Sequence, residues 1–411
     1  MDGTCRMYLH GHIQIPSLLI KLFCIFLLLH QLAFAVADDS SSPYNPAEQF
    51  FIACGLSGST INTMDGRACI GDVNSEYSPL EQKKNASRVS TAPQEPPYSA
   101  SRLSNSPFTY GFAVTAGQKF IRLHFYPTYS DLFNKSPAIF SVKTGSFTLL
   151  SHFNASLESD ALGKAAFSKE FCISVEEEQR MLNITFFPSY QDSYAFISGI
   201  ELVSMPPSLY FTAADDSGLT FVGQGNQYNI RNSNALETLY RINVGGKFIS
   251  PSDDTGMYRK WDRDVDYVTD LIPGALPVNG SIVPIFSEIR NYSAPVEVYT
   301  TARTMGTNNT INENYNLTWE FEVDSGFTYF VRLHFLEFQI EITEVGDRVF
   351  QIYIANQTAE AAADVIAWSG RNGVPIYKNY AVTIGSKGNE KKQNLSIKLH
   401  PTPELMEDQV F

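Results

Sequence analysis

Phe120–Phe125 reads FIRLHF and Phe330–Phe335 reads FVRLHF, an offset of 210 residues. Other words recur in the same order at nearly that offset. FTYGFAV (Phe108–Val114) answers LTWEFEV (Leu317–Val323), and FSVKT (Phe140–Thr144) answers FQIYI (Phe350–Ile354). KEFCI (Lys169–Ile173) answers KNYAV (Lys378–Val382), and NITFFP (Asn183–Pro188) answers NLSIKLHP (Asn394–Pro401). A fixed order of words at so long a period means two copies of one module, not a solenoid of short repeats. The length agrees, because 411 residues are too many for one ordinary core.

Within each copy Phe, Arg and His alternate with a β-branched residue, Leu and Phe, the period two of a strand with unlike faces. Short β-branched and aromatic runs broken by Gly, Pro, Asn and Ser fit antiparallel sandwiches or jelly rolls. The expected fold is all-β: two tandem β-sandwich, jelly-roll-like domains with few short helices. Ala359–Ala363 and Glu176–Arg180 are long enough only for turns of helix on a rim. The first domain is expected over 44–203, ending in AFISGIELV (Ala195–Val203). A linker over 204–208 follows, stiffened by Pro206 and Pro207 so that the domains keep a preferred angle. The second domain is expected over 209–401, its repeat opening at YRINVGG (Tyr240–Gly246) in answer to FFIACG (Phe50–Gly55). After Pro401 nothing answers AFISGIELV. The atypical acidic tail 402–411 lacks strand alternation, so the second domain is expected to miss its last strand, as in an early-ending sequence. That would leave a neighbouring edge unpaired and apolar residues exposed; a packed strand at Leu405–Phe411 would refute it.

The N-terminus places the chain in the secretory pathway. Arg6, the apolar run Leu22–Leu29 and small residues at Ala33, Ala35 and Ala37 make a signal peptide over 1–37, cut after Ala35 or Ala37. The run is too short to cross a hydrocarbon core of about 30 Å. Residues 38–43 are expected to be flexible, and no later stretch reads as a membrane span. Ten N-x-S/T sequons stand at Asn85, Asn134, Asn154, Asn183, Asn279, Asn291, Asn308, Asn316, Asn356 and Asn394, against about four expected by chance. Asn183 and Asn394, inside strand words, are the ones expected to be too buried for modification. Beyond the signal peptide stand Cys54, Cys69 and Cys172, enough for at most one disulfide. Cys54–Cys69 is the nearest pair, though the sequence does not choose among them.

A net charge of −13 without basic stripes excludes nucleic acid and suits either solubility or a cationic partner. Enzyme motifs fail one by one. His124, His152, His334 and His400 have no zinc spacing, and the repeat places His124 and His334 as structural residues. There is no G-x-S-x-G elbow. Asp262, Asp264 and Asp266 begin like a calcium loop, but Tyr267 stands where Gly is needed and Pro273 where Glu is needed. A solvated acidic turn is the default. Neither catalytic residues, metal ligands nor cofactors are read. For sugar stacking the candidates are Tyr126, Tyr129 and Tyr190, against the alternative of rim packing. In DTGMYRKW (Asp254–Trp261), Tyr258, Arg259 and Trp261 combine a cation with two aromatics, as interface anchors do. The competing reading is a structural plug, with Trp261 buried and Arg259 paired to an aspartate.

LETLYRINVGG (Leu236–Gly246), DTGMYRKW, APVEVYTTARTMG (Ala294–Gly306), NYNLTWEFEVDSGFTYFVRLHF (Asn314–Phe335) and RVFQIYIANQTAEAAADVIAW (Arg348–Trp368), with FIRLHFYP (Phe120–Pro127), resemble the extracellular region of plant malectin-like receptor kinases of the FERONIA-like group. The resemblance covers about Tyr44 to Pro401. It implies tandem malectin-like sandwiches that bind secreted rapid-alkalinization-factor peptides with a small GPI-anchored co-receptor, and links to pectin. It also implies a transmembrane helix and a Ser/Thr kinase further on; neither is read here, and GQG at Gly223–Gly225 has no phosphate-loop lysine after it. The expected function is a ligand-binding ectodomain at the plant cell surface or, if secreted, in the apoplast. A wall-carbohydrate module and a soluble truncated decoy are the alternatives.

Overall fold

The computed structural model describes residues 43–402 except 60, 64, 81–87, 92–94, 128–135, 270, 273–274, 307 and 387. The signal peptide, the tail beyond Thr402, Tyr129 and the sequons at Asn85 and Asn134 lie outside the described residues.

Each repeat folds into a sandwich of two β-sheets. In the first lobe the inner strand β3 (Gly117–Phe125) is flanked by β6 (Phe167–Val175) and β8 (Gly199–Ser204), and β8 is followed by β1 (Gln49–Ala53). The facing sheet has the order β2 (Phe108–Ala113), β7 (Met181–Pro188), β4 (Ile139–Thr144), β5 (Phe147–Asn154). Alternation decides what lies between the sheets. Ile121, Leu123 and Phe125 point inward from β3, meet Phe140, Val142, Ile184 and Phe186 from the facing sheet, and all seven are fully excluded from solvent. Burying one such side chain is worth about 1.5–3 kcal/mol.

The second lobe repeats the order of the facing sheet with β11 (Leu317–Asp324), β16 (Lys392–Pro401), β13 (Phe350–Ile354) and β14 (Gln357–Ala363), and adds the short strand Val268–Thr269 at the outer edge of β11. Its other sheet holds β12 (Phe327–Phe335), the FVRLHF strand, against β15 (Ile376–Ile384). A separate core gathers Leu317, Trp319, Ile352, Ile354, Tyr380 and Val382. YRINVGG contributes β10 (Ile242–Asn243), which among the described residues pairs with Asp262–Arg263 alone.

Two local expectations fail, and the first is Glu176–Arg180, which forms a plain turn and no helix. Ala359–Ala363 is extended within β14, not helical, because pairing with β13 outweighs the helix preference of an alanine-rich run. The longest described helix is instead α1 (Ala155–Leu162), opened by Asn154, whose Oδ1 accepts from the N–H groups of Ser156 and Leu157, and closed by left-handed Gly163. Among the described helices none is long and apolar enough to cross a membrane.

The cysteines are also corrected. Cys54, Cys69 and Cys172 are buried free thiols. β1 runs parallel to the strand Ala68–Gly71 with Ile52 opposite Ile70, which puts Cys69 on the face shared by Phe51 and Ala53. Cys54 belongs to the opposite face, in the sandwich core. Side chains on opposite faces of one sheet cannot be bridged without moving backbone.

The segment joining the lobes is packed, not loose. Met205 and Leu209 are buried with Phe120, Cys172, Phe211 and Met257 in a third apolar cluster. Beyond it the chain returns to the first lobe, where β9 (Leu236–Thr238) adds to the edge of β6.

Candidate functional site

A cleft of about 300 Å³ opens where the polar face of β3 looks onto the second lobe. Its floor is an ion-pair network built from charges set inside otherwise apolar strands. Arg122 of β3 lies in register with Glu170 of β6 on one side and Glu201 of β8 on the other. Its Nε donates to Glu170 at 2.6 Å, its Nη1 to Glu201 at 3.3 Å, and its Nη2 to the Met257 carbonyl of the second lobe at 2.8 Å. Arg67 grips Glu201 with both terminal nitrogens, at 2.7 and 3.1 Å, while Arg241 and Thr238 both donate to Glu170 at 2.7 Å. His124 places Nε2 2.8 Å from Glu201 and Nδ1 2.9 Å from the Tyr98 hydroxyl.

Burial alone would raise the pKa of these carboxyls. Arg241 and Arg122 around Glu170, and His124, Arg122 and Arg67 around Glu201, outweigh it and hold both well below the usual carboxylate range. Both are therefore ionised and fully engaged near neutral pH. A glycosidase needs one protonated acid, and neither carboxyl can serve.

The rim is what a ligand would meet. Leu239 and Phe248 are exposed, Tyr258 is half-buried, and Lys260 reaches Asp262 at 3.6 Å. A second depression of about 520 Å³ shares Phe248 and Asp262 and adds Lys164, Lys247, Arg263 and Asp266. Apolar side chains set among charges of both signs, on a rigid floor, suit an extended peptide with mixed side chains.

DTGMYRKW divides between rim and plug. Arg259 is 0% exposed and Trp261 is buried. The Arg259 guanidinium donates to both Asp254 oxygens at 2.9 Å and to the carbonyls of Ser293 and Tyr292, while Trp261 Nε1 lies 3.4 Å from Asp254. These two residues are structural. Tyr258 is placed for contact: its backbone has φ 57°, its hydroxyl donates to Gln49 across the lobes, and Arg67 stacks 5.0 Å from its ring. Gly256 is required there, since a Cβ would sit 1.8 Å from the Tyr44 carbonyl oxygen.

The remaining candidates lie elsewhere. Tyr190 is 54% exposed beside His152, and half-buried Tyr126 donates its N–H to Ser198; neither lines the cleft. The acidic turn is not wholly solvated: Asp264 is buried and takes Arg303 at 2.5 and 2.9 Å and Trp319 Nε1 at 3.1 Å. Asn183 and Asn394 are exposed, because strand alternation turns them outward; Asn279, Asn308, Asn316 and Asn356 are exposed too, with Asn154 and Asn291 half-buried. Sequence reasoning missed Arg67, Glu170, Glu201 and Arg241. The available signal was a charge inside an apolar strand word, as in KEFCI and GIELV.

Comparison with known proteins adds the lineage. The family model "Malectin-like domain" matches residues 52–407. "Receptor-like protein kinase FERONIA" of Arabidopsis thaliana is 45% identical over 386 residues, covering 92% of this chain but 42% of the relative. The crystal structure of the plant receptor-like kinase FER superposes with a TM-score of 0.78 at 43% identity, covering 89% of this chain and 93% of that one. FER in complex with the plant peptide RALF23 and LLG2 gives 0.76 at 43% identity, covering 88% and 91%. The chain thus spans less than half the length of the curated relative.

Proposed function

Since the chain belongs to the malectin-like family, we propose that it is the ligand-binding ectodomain of a plant cell-surface receptor, taking a secreted signalling peptide with a co-receptor at the cleft between its lobes. The observation that carries this is its likeness to a receptor solved with a peptide and LLG2, at 43% identity over 88% of this chain. The cleft supports it: a pre-organised floor costs little ordering on binding, and the exposed Leu239, Phe248 and Tyr258 supply apolar anchors. The net charge of −13 draws a cationic peptide through the field of the whole molecule, since the rim itself carries both signs. Association should therefore slow as salt rises.

The test is biolayer interferometry of the purified, glycosylated protein with synthetic RALF23, with and without LLG2, and with oligogalacturonides. Binding of the peptide, tightened by LLG2, is expected. No response to the peptide in either condition overturns the proposal; a response to oligogalacturonides alone replaces it with the wall-carbohydrate reading.

A further inference from the structure

The hairpin that joins β13 to β14 turns through a sequon, Asn356-Gln357-Thr358. Ile354 and Gln357 pair, so Ala355 and Asn356 alone form the loop, with φ of 52° and 61°. That left-handed pair makes a type I′ turn, which asparagine adopts readily and alanine only at a cost. The Asn356 side chain folds back onto the sheet. Its Oδ1 accepts from the Lys398 ammonium at 2.8 Å and from the Ser396 hydroxyl at 3.5 Å, both on β16. An ammonium can only donate, so the amide oxygen faces it and the NH2 group faces away. Among the described residues Nδ2 has no hydrogen-bond partner, and Asn356 is exposed.

Register sets the surface beside this amide. Tyr353 stands opposite Thr358 on one side and opposite Lys398 on the other. Ile352 and Ile354 are buried in the core, so alternation turns Tyr353 to the outer face of the sheet, where it is half-buried. Its hydroxyl donates to Gln351, which holds the ring. Thr358, Tyr353 and Lys398 thus form a row across three strands, and Asn356 reaches that row through its bond to Lys398.

We propose that Asn356 carries an N-linked glycan whose first N-acetylglucosamine packs on the Tyr353 ring and stabilises the hairpin. The donor is a lipid-linked oligosaccharide pyrophosphate. The Nδ2–C1 bond forms as the C1–O bond to the donor breaks; the pyrophosphate leaves with the electron pair and Nδ2 gives up one proton. The reaction uses only the amide nitrogen, so the bond from Lys398 to Oδ1 survives and fixes where the sugar emerges. A pyranose then lays its C–H face on the electron-rich face of the ring, as the edge of another aromatic would. None of these residues lines the cleft, so the proposal stands or falls independently of the peptide and co-receptor reading.

The experiment uses the full chain secreted from plant cells, with site occupancy read by mass-spectrometric peptide mapping and stability by thermal unfolding. Tryptophan fluorescence is the probe, because Trp261, Trp319 and Trp368 all lie in the second repeat. Asn356 is expected to be occupied in the wild type. Thr358→Ser keeps the sequon and Thr358→Ala removes it, at nearly the same side-chain size. The alanine variant should melt about 2–4 °C below the serine variant, and Tyr353→Phe should preserve that gap. Tyr353→Thr should shrink it to less than about 1 °C. If the threonine variant folds poorly, trimming every glycan to its first sugar with an endoglycosidase keeps the test decisive, since the gap should persist. An unoccupied Asn356, an equal gap with tyrosine and threonine at position 353, or a gap that vanishes on trimming would each overturn the proposal.

Discussion

Replacing Arg122 with methionine should cost the first lobe about 3 kcal/mol, while the same change at its repeat-mate Arg332 should stay within about 1 kcal/mol of wild type. The magnitudes follow from the partners. Arg122 is 5% exposed and donates to Glu170, Glu201 and the Met257 carbonyl, so its removal leaves buried acceptors short of a cation. Breaking such a network typically costs about 3–5 kcal/mol. The low end applies, because Arg241 still serves Glu170 and Arg67 still serves Glu201. Arg332 has one amide partner and an aromatic platform. Methionine there forfeits about 2 kcal/mol of cation–π attraction but also removes a buried charge with no described carboxylate, which costs a comparable amount to hold. For lobes of this size a loss of 3 kcal/mol lowers the melting temperature by about 6–12 °C. The assay is thermal unfolding read two ways. Trp261, Trp319 and Trp368 all lie in the second repeat, so fluorescence reports that lobe while far-ultraviolet circular dichroism reports both. Equal losses for the two variants, or none for Arg122→Met, would refute the reasoning.

Acid should weaken the second lobe early. Burial, with Arg332 and then Arg259 and Arg241 nearby, holds the His334 imidazole well below its ordinary value of 6.5; Tyr299, Tyr377 and Trp261 face the ring. The folded ring is neutral and the unfolded one takes up a proton, so stability is complete above about pH 6.5 and falls below it by up to about 1.4 kcal/mol per pH unit. His334→Gln should flatten that slope in pH-dependent urea melts, and an unchanged slope would count against it. Cys54, Cys69 and Cys172 should resist alkylation in the native protein and all be modified after denaturation without reductant, as mass spectrometry would read. Glycoproteomics of protein made in plant cells should find glycans at Asn183 and Asn394, the outward positions of β7 and β16.

Much of the fold was legible because the repeat fixed it twice. Words that match in sequence match in register: Arg122 faces Glu170 across β3 and β6, and Arg332 faces Asn379 across β12 and β15. His124 and His334 were legible as structural residues for the same reason, each bonded to a tyrosine. The cleft was not legible. Glu170 and Glu201 reach Arg122 from 48 and 79 residues away, and no local period encodes such distances. Helix α1 was not legible although Asn154 and Gly163 mark its two ends, because Ala155 alone of its eight residues is buried and no apolar stripe at helical spacing announces it. Ala359–Ala363 misled because composition speaks for helix while the partner strand decides.

The proposed function requires that a signalling peptide be held in the cleft. Hydrogen–deuterium exchange of the glycosylated protein with synthetic RALF23 and LLG2, against the protein alone, tests this most directly. Slowed exchange at Leu239–Arg241, Phe248 and Tyr258–Lys260 is the predicted result. Binding with protection confined to surfaces away from these residues, or no protection at saturating peptide, would contradict it.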